Sequence, residues 1–174
     1  FGIETGSPRI SRNMGRPYDY GKLYRELEYV GKKHYSATSW WMIGLPGERE
    51  EDIHMTFSMI KETMKMGIFP QSLSPLILFP QTKLAQDHRK FSITLYMKTF
   101  EDFKQFSYAR RNKTGIYPNL ITHDSTVQPR ELTLRYIKEM KAYIQSALSD
   151  IPVLDRKQDA IVSGYVRFRE NEIF

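Results

Sequence analysis

Short apolar runs alternate along this chain with longer stretches in which apolar residues recur every three or four positions. Phe1-Gly2-Ile3 reads as the end of a strand that runs into a loop from Glu4 to Arg16. From Tyr18 to His34, the residues Tyr20, Leu23, Tyr24, Leu27 and Val30 mark one face of an amphipathic helix. Lys32, Lys33 and His34 put positive charge at its carbonyl end, where the helix dipole favours it. Ala37–Ile43 (ATSWWMI) has the length and aromatic content of a buried strand, and Gly44-Leu45-Pro46-Gly47 stops it. The spacing predicts a second helix over Arg49–Met66, with Ile53, Phe57, Ile60 and Met64 on one stripe. Glu48, Glu50, Glu51 and Asp52 give it an acidic start, and Gly67 follows its end. Phe69–Phe79 reads as a third strand, interrupted by Pro70 and Pro75.

Strand, helix, strand, helix, strand is the pattern of an α/β fold, a parallel sheet with covering helices. Beyond Gln86 the pattern turns mainly helical. Ile93–Asn112 carries Phe100, Phe103 and Phe106; Pro129–Leu148 carries Ile137, Met140, Ile144 and Leu148, with Pro129 suited to a first helical position. Ala160–Phe168 is strand-like. Two regions follow, residues 1–90 with the βα units and residues 91–174 as a helical C-terminal extension.

Composition narrows the picture only a little. An apolar share of 40% with 13% aromatics is that of a globular chain and excludes a disordered one. No apolar run approaches the ~20 residues that span a bilayer, so a soluble, cytoplasmic chain without membrane contact is the expectation. The opening residue, Phe1, together with the immediate strand, suggests a piece of a longer polypeptide. The net charge of +6 is scattered over Arg9/Arg12/Arg16, Lys32-Lys33, Arg89-Lys90 and Arg110-Arg111, which reads as a solvated surface rather than a nucleic-acid face. There is no cysteine, so this chain offers neither disulfides nor thiolate ligands. His34, His54, His88 and His123 have no HxxxH or HxH spacing, and no metal site is expected among them.

Candidate chemistry concentrates where strands end, because ligands of parallel α/β folds sit beyond the C-terminal ends of the strands. Three such loops are Glu4-Thr5-Gly6-Ser7, Gly44-Leu45-Pro46-Gly47-Glu48 and Phe79-Pro80-Gln81-Thr82. Glycines let a ligand approach the backbone, and the N–H groups opening the following helix are unpaired donors. Glu4 adds a carboxylate able to accept from an amino group or from vicinal hydroxyls. These residues by themselves point to a small polar metabolite or nucleotide-like ligand.

The same loops carry a likeness. Gly2-Ile3-Glu4-Thr5-Gly6-Ser7-Pro8-Arg9, then Met42-Ile43-Gly44-Leu45-Pro46-Gly47-Glu48, then Ser74-Pro75-Leu76-Ile77-Leu78-Phe79-Pro80-Gln81-Thr82 resemble the fourth, fifth and sixth strand ends of radical S-adenosylmethionine (SAM) enzymes. The nearest resemblance is to the Fe–S oxidoreductase group, which often carries an upstream cobalamin-binding domain. It covers roughly residues 1–90, and the order and spacing of the three segments carry it. The resemblance implies half of a partial TIM-like (β/α) barrel with parallel strands, joined to the helical extension. It implies SAM, cleaved reductively to a 5′-deoxyadenosyl radical or used to methylate an unactivated substrate, and a [4Fe–4S] cluster, with cobalamin possible. The cluster's CxxxCxxC loop would lie before Phe1, in the N-terminal half of the same polypeptide, so this chain alone would bind none of these stably and would be inactive.

By the same resemblance Glu4, Thr5, Gly6 and Ser7 line the polar part of SAM, and Met42, Gly44, Leu45, Pro46 and Gly47 frame its adenine. Pro75, Leu76, Phe79, Gln81 and Thr82 lie toward substrate. The family's Pro-Gly-Thr is Pro80-Gln81-Thr82 here, and a turn needing φ > 0 would be strained at Gln81. Open edges of a half barrel favour self-association of the chain. The blander readings stand beside these: Glu4 as a loop carboxylate pairing with Arg9 or Arg12, Trp40 and Trp41 as core, and His123-Asp124 as a polar loop. The alternative function is a non-catalytic α/β binding module for RNA or another anionic partner.

Overall fold

The three predicted strands form and pair in parallel. A computed structural model describes residues 1–33, 37–112, 122–125 and 129–149. Strands β1 (Gly2–Glu4), β2 (Thr38–Ile43) and β3 (Phe69–Pro75) lie side by side in chain order. Gly2 stands opposite Trp40, and Trp41 opposite Leu73. Helix α2 (Tyr20–Lys32) connects β1 to β2, and α3 (Glu50–Lys65) connects β2 to β3. A later helix, α6 (Arg130–Ser149), joins them in one core against Ile3, Trp41, Ile43 and Leu73 of the sheet. The fold is therefore α/β, a partial β/α arrangement in which three helices cover one face of the sheet.

Strand alternation decides which side of β2 is buried. Trp41 is 1% exposed and Ile43 fully buried against the helices, whereas neighbouring Trp40 is 51% exposed on the opposite face. There its Nε1 donates to Gln71 Oε1 at 3.2 Å. Met42 shares that helix-free face and is half-buried.

Several boundaries differ from the sequence reading, each for a local reason. The segment after β1 contains a short helix, α1 (Pro8–Asn13), because Ser7 Oγ caps Ile10 N (3.3 Å) and Pro8 has the φ of a first turn. Helix α2 starts two residues later than expected, at Tyr20, capped by Asp19, whose carboxylate accepts from Lys22 N (2.9 Å). Strand β3 stops at Pro75; the last ladder-like bond is Leu76 N to Ile43 O, 2.8 Å. Beyond it lie α4 (Lys83–Gln86) and a 3₁₀ turn, His88–Phe91.

Ile93–Asn112 is not one helix. Its β-branched start forms strand β4 (Ile93–Leu95), antiparallel to β5 (His123–Ser125), and only then comes α5 (Phe100–Asn112). Thr99 and Asp102 cap α5 reciprocally: Asp102 Oδ2 accepts from Thr99 N (2.8 Å), and Thr99 Oγ1 from Asp102 N (3.1 Å). His123-Asp124 is thus strand, not loop. The strand-like stretch Ala160–Phe168 lies outside the described residues. No helix among the described residues is long and apolar enough to cross a membrane.

Candidate functional site

Glu4 ends β1 in a conformation that side chains avoid, with φ at +71° and the strand register slipping between Gly2 and Glu4. Its carboxylate folds back on the helix-free face, with Oε1 2.9 Å from where a β-carbon on Gly2 would stand. Its cationic partner is Arg16, Nη1 at 3.4 Å, and not Arg9 or Arg12.

Thr5, Gly6 and Ser7 face the other way and fasten the loop to α3. Thr5 Oγ1 meets Thr56 Oγ1 at 3.1 Å, and Gly6 N donates to Thr56 Oγ1 at 2.9 Å. A β-carbon on Gly6 would stand 2.5 Å from the Met55 carbonyl oxygen, so this glycine serves backbone-to-backbone approach. Ser7 Oγ donates to Asp52 Oδ1 at 2.5 Å. Asp52 also accepts from Arg9 Nη2 and from Arg49 N (2.9 Å). Burial alone would raise its pKa, but the bonds from Arg9, Ser7 and Arg49 outweigh it and hold the carboxyl below the usual range.

The second loop turns on two glycines with positive φ, Gly44 (+86°) and Gly47 (+73°). Two of its amides, those of Gly44 and Leu45, are not free donors. Glu48, fully buried, accepts from Gly44 N (2.6 Å) and Leu45 N (3.2 Å) through Oε2. Glu48 N closes a turn on Leu45 O at 2.9 Å. Arg9 Nη2 donates to Gly47 O at 2.7 Å while holding Asp52, tying this loop to α1. Burial pushes the Glu48 carboxyl up to about 8, against the pull of the two amides.

With those polar groups used internally, the loop presents Leu45 and Pro46 as an apolar wall. They line a small cleft together with Pro75 and Leu76. His123, Asp124, Arg130 and Thr133 form its far side. Burial holds the His123 imidazole below its ordinary value, with its bond to the Gly44 backbone opposing. Asp124 caps α6 by accepting from Arg130 N (2.9 Å), and the Arg130 Nε is buried without a hydrogen-bond partner.

The third segment is split. Pro75 and Leu76 join the cleft, whereas Phe79, Gln81 and Thr82 are exposed in a separate turn. Phe79 packs on Phe103 (centroids 4.7 Å apart), and Thr82 Oγ1 caps α4 at Ala85 N. Gln81 does adopt the left-handed conformation, φ +68°, so the turn expected of glycine persists with a glutamine in it. Asp52, His123 and Arg130 escaped the sequence reading as site residues. Asp52 looks like ordinary helix-start charge; its partner Ser7 lies 45 residues away, with no local signal.

No family model matches the chain. It is similar to tRNA-2-methylthio-N(6)-dimethylallyladenosine synthases. The one from Solibacter usitatus is 28% identical over 75 residues, 42% of this chain and 17% of the relative. The one from Tropheryma whipplei is 32% identical over 75 residues, 42% and 16% respectively. The Thermus thermophilus relative is 28% identical over 111 residues, 62% of this chain and 24% of its own length. The chain thus matches less than a quarter of the length of each of these relatives.

Proposed function

We propose that this chain forms part of the SAM pocket of a radical SAM enzyme, as half of a TIM-like barrel. One observation carries the reading: Glu4 keeps a left-handed backbone at a strand end and lays its carboxylate on the helix-free face, paired only loosely with Arg16. An acceptor placed there suits the hydroxyl or amino donors of SAM. The apolar Leu45–Pro46 wall suits a flat ring such as adenine, and the Gly44 and Leu45 amides are already bound to Glu48. Met42 lies on the Glu4 side of the sheet and completes the adenine contact. Thr5, Gly6 and Ser7 act from behind, holding Glu4 in place through α3. Phe79, Gln81 and Thr82 lie toward substrate.

SAM, bound beside a [4Fe–4S] cluster, supplies the radical or methyl chemistry. The cluster's thiolates come from outside residues 1–174, since this chain has no cysteine. The N-terminal half of the same polypeptide supplies them and covers Trp40 and the rest of the helix-free face, and the isolated chain is inactive. Cobalamin use belongs to the same proposal, carried only by the family likeness. A tRNA substrate is the second reading, favoured by the names of the relatives and the net charge of +6.

Two measurements test this. The upstream reading frame should contain CxxxCxxC within the ~100 residues that complete a ~250-residue barrel. In the full-length polypeptide with its cluster, Glu4→Gln should weaken SAM binding by about tenfold or more, the loss of a charge-assisted bond. A frame without the motif, or unchanged affinity in the variant, refutes the reading. Salt-dependent tRNA binding by the same polypeptide decides the substrate.

A further inference from the structure

Glu48 is among the most buried ionisable side chains described, and the function proposed above makes no chemical use of it. Its Oε2 accepts two amide bonds, from Gly44 and Leu45, at the point where the chain leaves β2. Its Oε1 is buried with no hydrogen-bond partner. A buried carboxylate bonded on one oxygen only leaves half of its charge without a donor. A neutral acid fits better: the carbonyl-type oxygen takes both amides, and the proton sits on the other.

The charged and titratable groups around it do not reverse this. Arg9, from α1, is committed to Asp52 and to Gly47 O; Asp52, on α3, repels a second negative charge; His123, from β5, reaches the Gly44 backbone and is disfavoured as a cation by burial.

We propose that Glu48 is a positioning residue that holds the Gly44–Gly47 loop in place as a neutral carboxylic acid, and that its ionisation releases the loop. The latch fixes the wall formed by Leu45 and Pro46, and so the cleft beside it. It rests on the SAM reading only for what that wall receives; the latch itself is testable without SAM.

The sign follows from proton linkage. The latched loop holds a proton that an opened loop gives up, so opening becomes easier with rising pH, about tenfold per pH unit. The window runs from the ordinary carboxyl value of 4.5 to about 8, and the effect levels off above it.

The chain labelled at its glutamate carboxyl carbons should show by NMR one carboxyl resonance titrating near 8, absent in Glu48→Gln. Amide exchange, corrected for its intrinsic pH dependence, should show protection of Gly44 and Leu45 falling across that window in the native chain. In Glu48→Gln, whose amide keeps an acceptor and a neutral partner, protection should persist and stay flat with pH. A Glu48 resonance titrating in the ordinary carboxylate range overturns the proposal, and so does protection with the same pH dependence in both proteins. Should the glutamine variant fail to fold, the native carboxyl titration alone decides. Because neither readout involves SAM, a failed latch leaves the SAM proposal standing, and the reverse.

Discussion

Replacing Glu4 by glycine should change the stability of the fold little, with a slight gain at the centre of the expected range. A left-handed conformation costs an L-residue roughly 1–2 kcal/mol, and Glu4 pays it at φ +71°. Glycine removes that cost but gives the unfolded chain more freedom, which takes back about 0.4–1 kcal/mol. The pair with Arg16 is lost as well; at 3.4 Å, with Arg16 half-exposed, it is worth about 0–1 kcal/mol. The balance runs from about 1 kcal/mol lost to about 1.6 kcal/mol gained and centres on a gain of about 0.3 kcal/mol, a rise of about 0.1–0.3 M in urea midpoint at slopes of about 1–3 kcal/mol/M. Glu4→Gln keeps the strained backbone and should stay within about 1 kcal/mol of the native chain, the most that the lost ion pair is worth. Urea unfolding of the native chain and both variants is the assay. A residue retained for stability would behave differently. If Glu4→Gly loses more than about 1 kcal/mol, its carboxylate is a structural anchor and the assignment of its strain to ligand binding is wrong.

The two adjacent tryptophans of β2 should separate sharply in the same assay. Trp41→Ala opens the core and should cost about 3–5 kcal/mol, while Trp40→Ala should cost under about 1 kcal/mol; equal losses would mean that the helix-free face is covered in this chain. Asp52 should make the chain acid-sensitive. Its folded pKa is depressed, so its contribution is present above the unfolded value near 3.8 and disappears as pH falls through the folded one. Asp52→Asn should flatten that part of the pH–stability curve, the opposite limb from the one governed by Glu48, and an unchanged acid limb would contradict the Ser7–Asp52–Arg9 arrangement.

What could be read in advance was whatever repeats at short range. The stripes over Tyr20–Val30 and Ile53–Met64 announced α2 and α3, and the WWMI run announced β2, because periodicity and turn glycines are local signals. Where two signals compete, the nearer one misleads. The helical spacing of the phenylalanines that follow Ile93-Thr94-Leu95 predicts one helix, while the strand partner of that tripeptide, His123–Ser125, is far along the chain. The short helix α1 was hidden in a polar loop, although Ser7-Pro8 is a cap followed by a first-turn proline. The hydrogen-bonding state of the site loops was invisible for a deeper reason. That Glu48 turns inward to consume the amides of its own loop, or that Ser7 reaches Asp52, depends on tertiary placement that no spacing encodes.

Three non-glycine residues among those described take a left-handed backbone; Ser92 closes the His88–Phe91 turn, and their surroundings separate the other two, Glu4 and Gln81. Gln81 is exposed in a turn whose own bonds, Thr82 Oγ1 to Phe79 O and Gln86 Nε2 to Gln81 O, account for its shape. Around Glu4 the loop is over-determined from behind by Thr5, Gly6 and Ser7 against α3, yet its carboxylate makes one loose ion pair on the face that no helix covers. Strain persists when rigid surroundings impose it, and natural chains put glycine there when nothing else is needed. At Gln81 the local bonds suffice as an account. At Glu4 they leave a carboxylate held in position from behind with a single loose ion pair among the described residues, and that asymmetry is why Glu4 carries the weight of the proposed function.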